Sequence, residues 1–305
     1  MRILATQPLP GPAWAELDRV EQAQEWPPAA PVQGIEALVV VNRRVDRAVL
    51  DLLPDLRLVA NYGVGYDRID VGDCRARGVA VTNTPGVLDA AVADLTMALI
   101  LACLRGVVAG DRLVRAGGWQ RGWSQPDLLG RDLAGATLGI VGLGRIGSAV
   151  ARRAEAFEMR VIHHRRSGGE PLDGLLRRSD VVSLHVPLGP ETTGLISRER
   201  LALLQDGATL VNTARGSVVD EEALADELVS GRIRAGLDVF AREPRVPERL
   251  LGLENVVLTP HLGSATAETR AAMTRVVVDN LQAAERGEPL PTLVPESCAL
   301  RRPSR

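Results

Sequence analysis

Short apolar runs rich in β-branched residues alternate with stretches of helical periodicity along almost the whole chain. Residues 2–6, 37–41, 57–60 and 79–81 predict a first group of strands. Residues 137–141, 160–163, 181–184, 209–211, 235–239 and 256–258 predict a second. Most of these runs are continuously apolar rather than alternating, as in parallel strands covered on both faces. Helical patterns separate them, for example over 146–158 and 221–230. Strand–helix alternation of this kind builds right-handed βαβ units and hence doubly wound sheets.

A long apolar helical segment, 89–115, divides the two groups and reads as one buried crossing helix. A Gly- and Trp-rich loop follows it, Gly117-Gly118-Trp119-Gln120-Arg121-Gly122-Trp123. A second long helix, 267–286, closes the second group, and a tail with Pro289, Pro291, Pro295 and Pro303 reads as extended or loose. The expectation is an α/β protein of two doubly wound parallel-sheet domains. Residues 95–283 would form the larger domain and residues 1–94 with 284–305 the smaller, with a cleft between the two, a common ligand location. No short-period repeat or low-complexity tract interrupts this reading.

Composition narrows the function classes. The 305 residues are 46% hydrophobic and 24% charged, an ordinary globular balance, and only 3% are aromatic, so aliphatic residues must build the core. The formal net charge is −2, which points away from nucleic acid and anionic membrane as partners. Every basic residue is Arg, so chemistry that needs a Schiff-base or Walker lysine is excluded. Cys74, Cys103 and Cys298 are far apart with no CxxC spacing, which predicts reduced thiols and no metal site. The start Met1-Arg-Ile-Leu-Ala has no apolar leader, and 95–104 is too short to span a bilayer, so a cytoplasmic location is expected.

The strongest local signal is Gly142-Leu143-Gly144-Arg145-Ile146-Gly147, set between a predicted strand and a predicted helix. In that setting Gly142 permits a tight turn, Gly144 lets the backbone approach a pyrophosphate, and Gly147 allows close helix–strand packing. The helix N-terminus offers N–H groups and a positive dipole end to the phosphates. The next strand distinguishes the dinucleotides, because an NAD site usually ends it with Asp or Glu for the ribose 2′-hydroxyl. Here Arg165 stands there, 18 residues past Gly147, followed by Arg166 and Ser167. Guanidinium groups and a hydroxyl suit a 2′-phosphate, which predicts NADPH as the preferred cofactor with NAD as the alternative. The competing reading makes Arg165 and Arg166 ordinary solvated charges.

Only four His occur. His163 and His164 end the strand before Arg165, and His185 ends another strand on the cofactor side. His261 follows a strand in Thr259-Pro260-His261-Leu262-Gly263, at the edge where open α/β sheets bind ligands. Imidazole is a natural proton donor for carbonyl reduction near neutral pH. Arg215 and Glu243 follow neighbouring strands at the same edge. An Arg can fork onto a carboxylate and polarise the adjacent carbonyl oxygen, and a carboxylate beside a His favours its protonated form.

These residues, together with Asn61-Tyr-Gly-Val-Gly-Tyr-Asp-Arg-Ile-Asp70, Val81-Thr-Asn-Thr-Pro-Gly86, Leu184-His-Val-Pro-Leu188, Asn212-Thr-Ala-Arg-Gly-Ser217 and Gly236-Leu-Asp-Val-Phe240, resemble the D-2-hydroxyacid dehydrogenase family in order and over nearly the whole chain. The resemblance implies that Arg215 holds the substrate carboxylate and carbonyl oxygen. His261 would be the acid in reduction and the base in oxidation, with Glu243 as its partner. The N–H groups of Val64 and Gly65 would bind the carboxylate, with Leu88 lining the pocket. Arg145 and Ile146 would meet the pyrophosphate, and Val186, Pro187 and Thr192 the adenosine half. Thr213, Ala214, Asp238 and Gly263 would lie along the cofactor, Asp238 at the nicotinamide carboxamide. It further implies that 95–283 form a Rossmann nucleotide-binding domain and 1–94 with 284–305 a flavodoxin-like substrate-binding domain, with the active-site cleft between them. A homodimer formed through the nucleotide domain is also implied, with Trp123 resembling a residue that reaches the neighbouring subunit.

Within the family, Glu243 replaces the Gln of formate dehydrogenases, and the chain is too short for the regulatory domain often found in the phosphoglycerate branch. The Arg165-Arg166-Ser167 stretch resembles glyoxylate/hydroxypyruvate reductases that prefer NADPH. The implied reaction is reduction of a small 2-oxo acid to the D-2-hydroxy acid. Phosphoglycerate, phosphite or a sugar acid remain as other substrates, and a dinucleotide-sensing, corepressor-like protein remains as a non-catalytic reading.

Overall fold

The computed structural model describes residues 1–123 and 129–300. The chain divides into two compact units, Met1–Leu88 together with the chain from Ser264 onward, and Asp89–Gly263.

The first unit carries a five-stranded parallel sheet of β1 (Ile3–Ala5), β2 (Val20–Gln22), β3 (Ala37–Val40), β4 (Leu58–Asn61) and β5 (Ala80–Thr82), in the order β2-β1-β3-β4-β5. That is the flavodoxin-like order. Strands β1, β3, β4 and β5 are buried throughout, which is why they read as unbroken apolar runs. Strand β2 went unread because Val20-Glu21-Gln22 lies at the sheet edge with its two polar residues exposed. Helix α1 (Arg47–Asp51) is capped by Asp46, and α2 (Val71–Arg77) by Asp70, whose carboxylate accepts from the Asp73 N–H at 2.8 Å. The other edge, β5, is covered by the C-terminal segment: Thr82 bridges Leu293 and the Val294 N–H donates to the Val81 carbonyl at 3.0 Å.

The second unit opens with α3 (Asp89–Arg105) and α4 (Val107–Arg115). The single crossing helix expected over 89–115 is two helices bent by 65°, because Gly106 takes a left-handed conformation (φ +61°) and ends the first. Helix α3 is buried along Val92, Ala93, Met97, Leu99 and Ile100, whereas α4 buries nothing. Among the described residues no single helix is long and apolar enough to cross a membrane.

A seven-stranded sheet follows. Its strands are β6 (Thr137–Val141), β7 (Arg160–Arg165), β8 (Gly168–Gly169), β9 (Val181–Leu184), β10 (Thr209–Asn212), β11 (Arg234–Leu237) and β12 (Val256–Leu258). The order is β12-β11-β10-β9-β6-β7-β8, a Rossmann order in which the third strand is reduced to the antiparallel Gly168–Gly169 pair. Helices α5 (Arg145–Ala156), α6 (Leu172–Arg178), α7 (Arg198–Leu201), α8 (Glu221–Val229) and α9 (Glu248–Leu251) complete the unit. Two apolar cores flank the sheet, one centred on Leu175, Leu184, Leu210 and Leu224 and the other on Ile100, Ile140, Val150 and Val211. Each fully buried Leu or Ile stabilises the fold by about 1.5–3 kcal/mol.

Helix α10 (Ala267–Arg286) belongs to the first unit, not to the nucleotide domain as expected from its position after the second strand group. Tyr62 donates its hydroxyl to the Arg270 carbonyl at 2.8 Å, and Thr274 donates to the Pro10 carbonyl at 2.6 Å. The unit boundaries therefore fall at 88/89 and 263/264 rather than at 94/95 and 283/284.

Candidate active site

The Gly-rich turn joins β6 to α5. Gly142 has φ +99°, and a Cβ there would lie 2.8 Å from the His185 carbonyl group. A Cβ on Gly147 would fall onto the Gly142 carbonyl oxygen, so both positions require glycine for packing. Gly144 differs: nothing lies within 4 Å of where its Cβ would be. It is the N-cap of α5 and offers no side chain to that helix end. The first-turn N–H groups, from Arg145 to Gly147, have no intrahelical acceptor. Open space over a helix N-terminus fits a pyrophosphate. Arg145, 62% exposed, is steadied by Asp89, with Nε 3.3 Å from Oδ2.

At the end of β7 the chain makes a tight hairpin, with Arg165 paired to Gly168 and His164 to Gly169. Gly169 must be glycine, since a Cβ would meet the His163 carbonyl. Arg165, Arg166 and Ser167 form the exposed tip. Arg166 Nη2 lies 3.4 Å from Glu191 Oε2, which brings this tip beside the 186–192 loop. In that loop Thr192 donates to the Pro187 carbonyl at 2.6 Å, and Val186 packs at the Gly142 turn.

Three loops at the C-terminal ends of β10, β11 and β12 hold the remaining candidates. The Asn212 side chain braces the first: its Nδ2 donates to the Arg215 carbonyl at 2.9 Å and its Oδ1 accepts from the Ala214 N–H at 3.0 Å. A Cβ on Gly216 would collide with the Phe240–Ala241 backbone, so the Arg215 loop and the loop after β11 are in direct contact. Thr213 meets Thr96 of α3, hydroxyl to hydroxyl, at 3.0 Å. On the second loop, Glu243 Oε1 accepts from the Phe240 N–H at 3.3 Å. Its Oε2 lies 3.0 Å from His261 Nδ1 on the third. Glu243 is 15% exposed and His261 40% exposed, so the pair has a dry carboxylate and a solvent-facing imidazole.

His261 itself has φ +56°, a costly conformation for a residue with a Cβ. The buried Asp238 carboxylate holds that turn, accepting from Thr259 Oγ1 at 2.6 Å and from the Leu262 and Gly263 N–H groups at 2.7 and 2.9 Å. Burial raises the Asp238 pKa, opposed by those three donors.

In the first unit, the loop after β4 carries Val64 and Gly65, both partly exposed, while Leu88 is buried. Trp123 is fully exposed.

A family model described as D-isomer specific 2-hydroxyacid dehydrogenase, NAD binding domain, matches residues 97–263. The glyoxylate reductase of Pyrococcus furiosus is 50% identical over 289 residues, covering 89% of this chain and 86% of that protein. That of Korarchaeum cryptofilum is 45% identical, covering 99% and 98%. This chain belongs to the D-2-hydroxyacid dehydrogenase family. A solved NADPH-dependent glyoxylate/hydroxypyruvate reductase from Sinorhizobium meliloti, in complex with NADP and malonate, has a TM-score of 0.90 at 37% identity, covering 99% of each chain.

As a member of this family the chain is an NAD(P)-dependent enzyme that interconverts 2-oxo and 2-hydroxy acids. Within the dehydrogenase, His185 is set apart from proton transfer. Its Nε2 meets Ser183 Oγ at 2.8 Å, and burial holds its pKa down at about 4, so it is neutral at physiological pH. Sequence reasoning missed the bracing part of Asn212 and the turn-holding part of Asp238. A buried polar residue at a strand end was the available signal, but its partners are separated from it in sequence. Among the described residues no group of three or more His, Cys, Asp or Glu could hold a metal ion.

Proposed function

We propose that this dehydrogenase reduces a small 2-oxo acid, glyoxylate or hydroxypyruvate, to the D-2-hydroxy acid with NADPH. The observation that carries the reading is the Glu243–His261 pair at 3.0 Å, with Glu243 on the loop that touches the one carrying Arg215. A bound nicotinamide dinucleotide supplies the hydride. Arg215 holds the substrate carboxylate and polarises the keto oxygen. The Val64 and Gly65 N–H groups bind the same carboxylate, with Leu88 shaping the pocket. His261, with Nδ1 taken by Glu243, presents Nε2 and delivers the proton to the oxygen as the alkoxide forms. In the reverse direction it removes that proton.

Gly142, Gly144, Arg145, Ile146 and Gly147 hold the pyrophosphate. Val186, Pro187 and Thr192 flank the adenosine, and Thr213, Ala214, Asp238 and Gly263 line the nicotinamide half. The preference for NADPH is supported by the exposed Arg165-Arg166-Ser167 tip, which offers two guanidinium groups and a hydroxyl. The Sinorhizobium relative, in complex with NADP, supports it too. A homodimer through the second unit is supported by Val107, Val114, Trp119 and Trp123, large apolar side chains left exposed on α4 and in the loop that follows it.

Steady-state rates with glyoxylate and hydroxypyruvate, each with NADPH and with NADH, test this. Rapid NADPH oxidation is the expected result. NADH preference would remove the 2′-phosphate reading, and no turnover with either acid would remove the substrate class.

A further inference from the structure

We infer that Asn61 and Asn83 are positioning residues that build the substrate-carboxylate site from behind. They gather three consecutive carbonyl groups to one side of the loop and so turn three consecutive N–H groups to the other. The inference rests on the proposed reading of the Val64–Gly65 loop.

Asn61, the last residue of β4 and only 6% exposed, donates from Nδ2 to both the Gly63 and the Gly65 carbonyl oxygens, each at 2.9 Å. Asn83, just past β5, donates from Nδ2 to the intervening Val64 carbonyl at 2.8 Å. The Thr84 N–H adds a second donor to the Gly63 carbonyl at 3.1 Å. These peptide units are trans, so each N–H points opposite to the carbonyl of its own unit. The three units present the N–H groups of Val64, Gly65 and Tyr66. Among the described residues none accepts from these three, and all three residues are partly exposed. Successive N–H groups converging on one side form a concave site for an anion.

Asn83 is itself fixed by the C-terminal segment. Its carbonyl accepts from Thr292 Oγ1 at 2.6 Å and its N–H donates to the Thr292 carbonyl at 3.3 Å. Thr292 in turn is held by the fully buried Asn280 of α10, whose Nδ2 donates to the Thr292 hydroxyl at 2.8 Å and whose Oδ1 accepts from the Thr292 N–H at 3.2 Å. A second tie runs from Tyr66, whose hydroxyl donates to Glu296 at 2.9 Å. The relay Asn280–Thr292–Asn83–Val64 therefore makes the orientation of the anion site depend on residues that touch no ligand. An isosteric loss of the Asn83 donor leaves the Val64 carbonyl without a partner and frees that peptide to rotate.

The test is kinetic, on the full-length enzyme. Asn83→Asp replaces the donor with an acceptor of the same shape. It should raise KM for glyoxylate about tenfold or more while kcat and KM for NADPH change little, because the interaction lost is with the carboxylate rather than with the reacting carbon. Selectivity for glyoxylate over its primary amide should fall by a similar factor. The defect should shrink on acidification, as the new carboxyl takes up a proton and becomes a donor again. Thr292→Val should reproduce the KM effect in weaker form and Thr292→Ser should restore it, which covers the case in which Asn83→Asp does not fold. Unchanged KM and unchanged acid-over-amide selectivity in both Asn83→Asp and Thr292→Val would overturn the inference. Failure of the wild-type enzyme to discriminate the acid from the amide would instead overturn the underlying reading of the loop.

Discussion

Glu243 Oε2 lies 3.0 Å from His261 Nδ1, across 18 residues of sequence and two strand-end loops. The contact engages Nδ1 and leaves Nε2 as the nitrogen that the proposed mechanism turns to the substrate. The carboxylate is the more buried partner, 15% exposed against 40% for the imidazole. Glu243→Gln keeps the shape and removes the charge. It should lower kcat for the 2-oxo acid about tenfold or more, with the dissociation constant for NADPH unchanged. Full activity in this variant would show that the pairing is structural only.

His261→Ala removes the proposed proton donor. Turnover should fall by about a hundredfold or more, with cofactor binding measured by nucleotide fluorescence retained. Retained turnover would assign the proton to another group.

Arg215→Ala should abolish useful kcat/KM, and Arg215→Lys should not recover it, because an ammonium group cannot make the two parallel bonds of a guanidinium fork. Full recovery by Lys would reduce the role of Arg215 to that of a point charge.

Arg165→Asp places a carboxylate on the hairpin tip at the end of β7. The ratio of kcat/KM for NADPH over NADH should drop about tenfold or more, since a 2′-phosphate would meet a like charge and a 2′-hydroxyl would gain an acceptor. A constant ratio would place the 2′-phosphate contact elsewhere.

His185 gives a stability prediction independent of activity. The unfolded chain takes up a proton there near pH 6.5, the folded chain only near 4. Between those values the unfolded state binds more protons, so stability falls as pH is lowered through that window, by up to about 3 kcal/mol. His185→Gln, which removes the titrating imidazole, should flatten urea-unfolding stability between pH 6.5 and 4. An unchanged slope would show that His185 does not limit acid stability.

The legible parts of this protein were those written in local pattern. Buried parallel strands leave continuous apolar runs, and the glycines at 142, 144 and 147 sit where a β6–α5 turn needs them. Strand β2 was not legible because its side chains carry no burial signal at a sheet edge. The break at Gly106 was hidden inside an apolar run that continues across it. The closing helix α10 follows the second strand group in sequence, yet it belongs to the first unit, and its contacts with Tyr62 and Pro10 span more than two hundred residues.

The same division holds for the site. The sequence by itself determined the α/β class, the nucleotide fingerprint and the residue types available for proton transfer and anion binding, since these follow from periodicity, motif spacing and side-chain chemistry; the family came from the resemblance of its motifs and their order. The Glu243–His261 pairing was implied by the resemblance, but only the tertiary structure decided its 3.0 Å geometry, that Asp238 holds the left-handed turn at His261, and that Asn61 and Asn83 donate to the carbonyl groups of the loop at Val64. The physical reason is that hydrogen bonds require distances near 3 Å and a defined direction. Such geometry between residues on different loops exists only once the strands beneath them are packed in register.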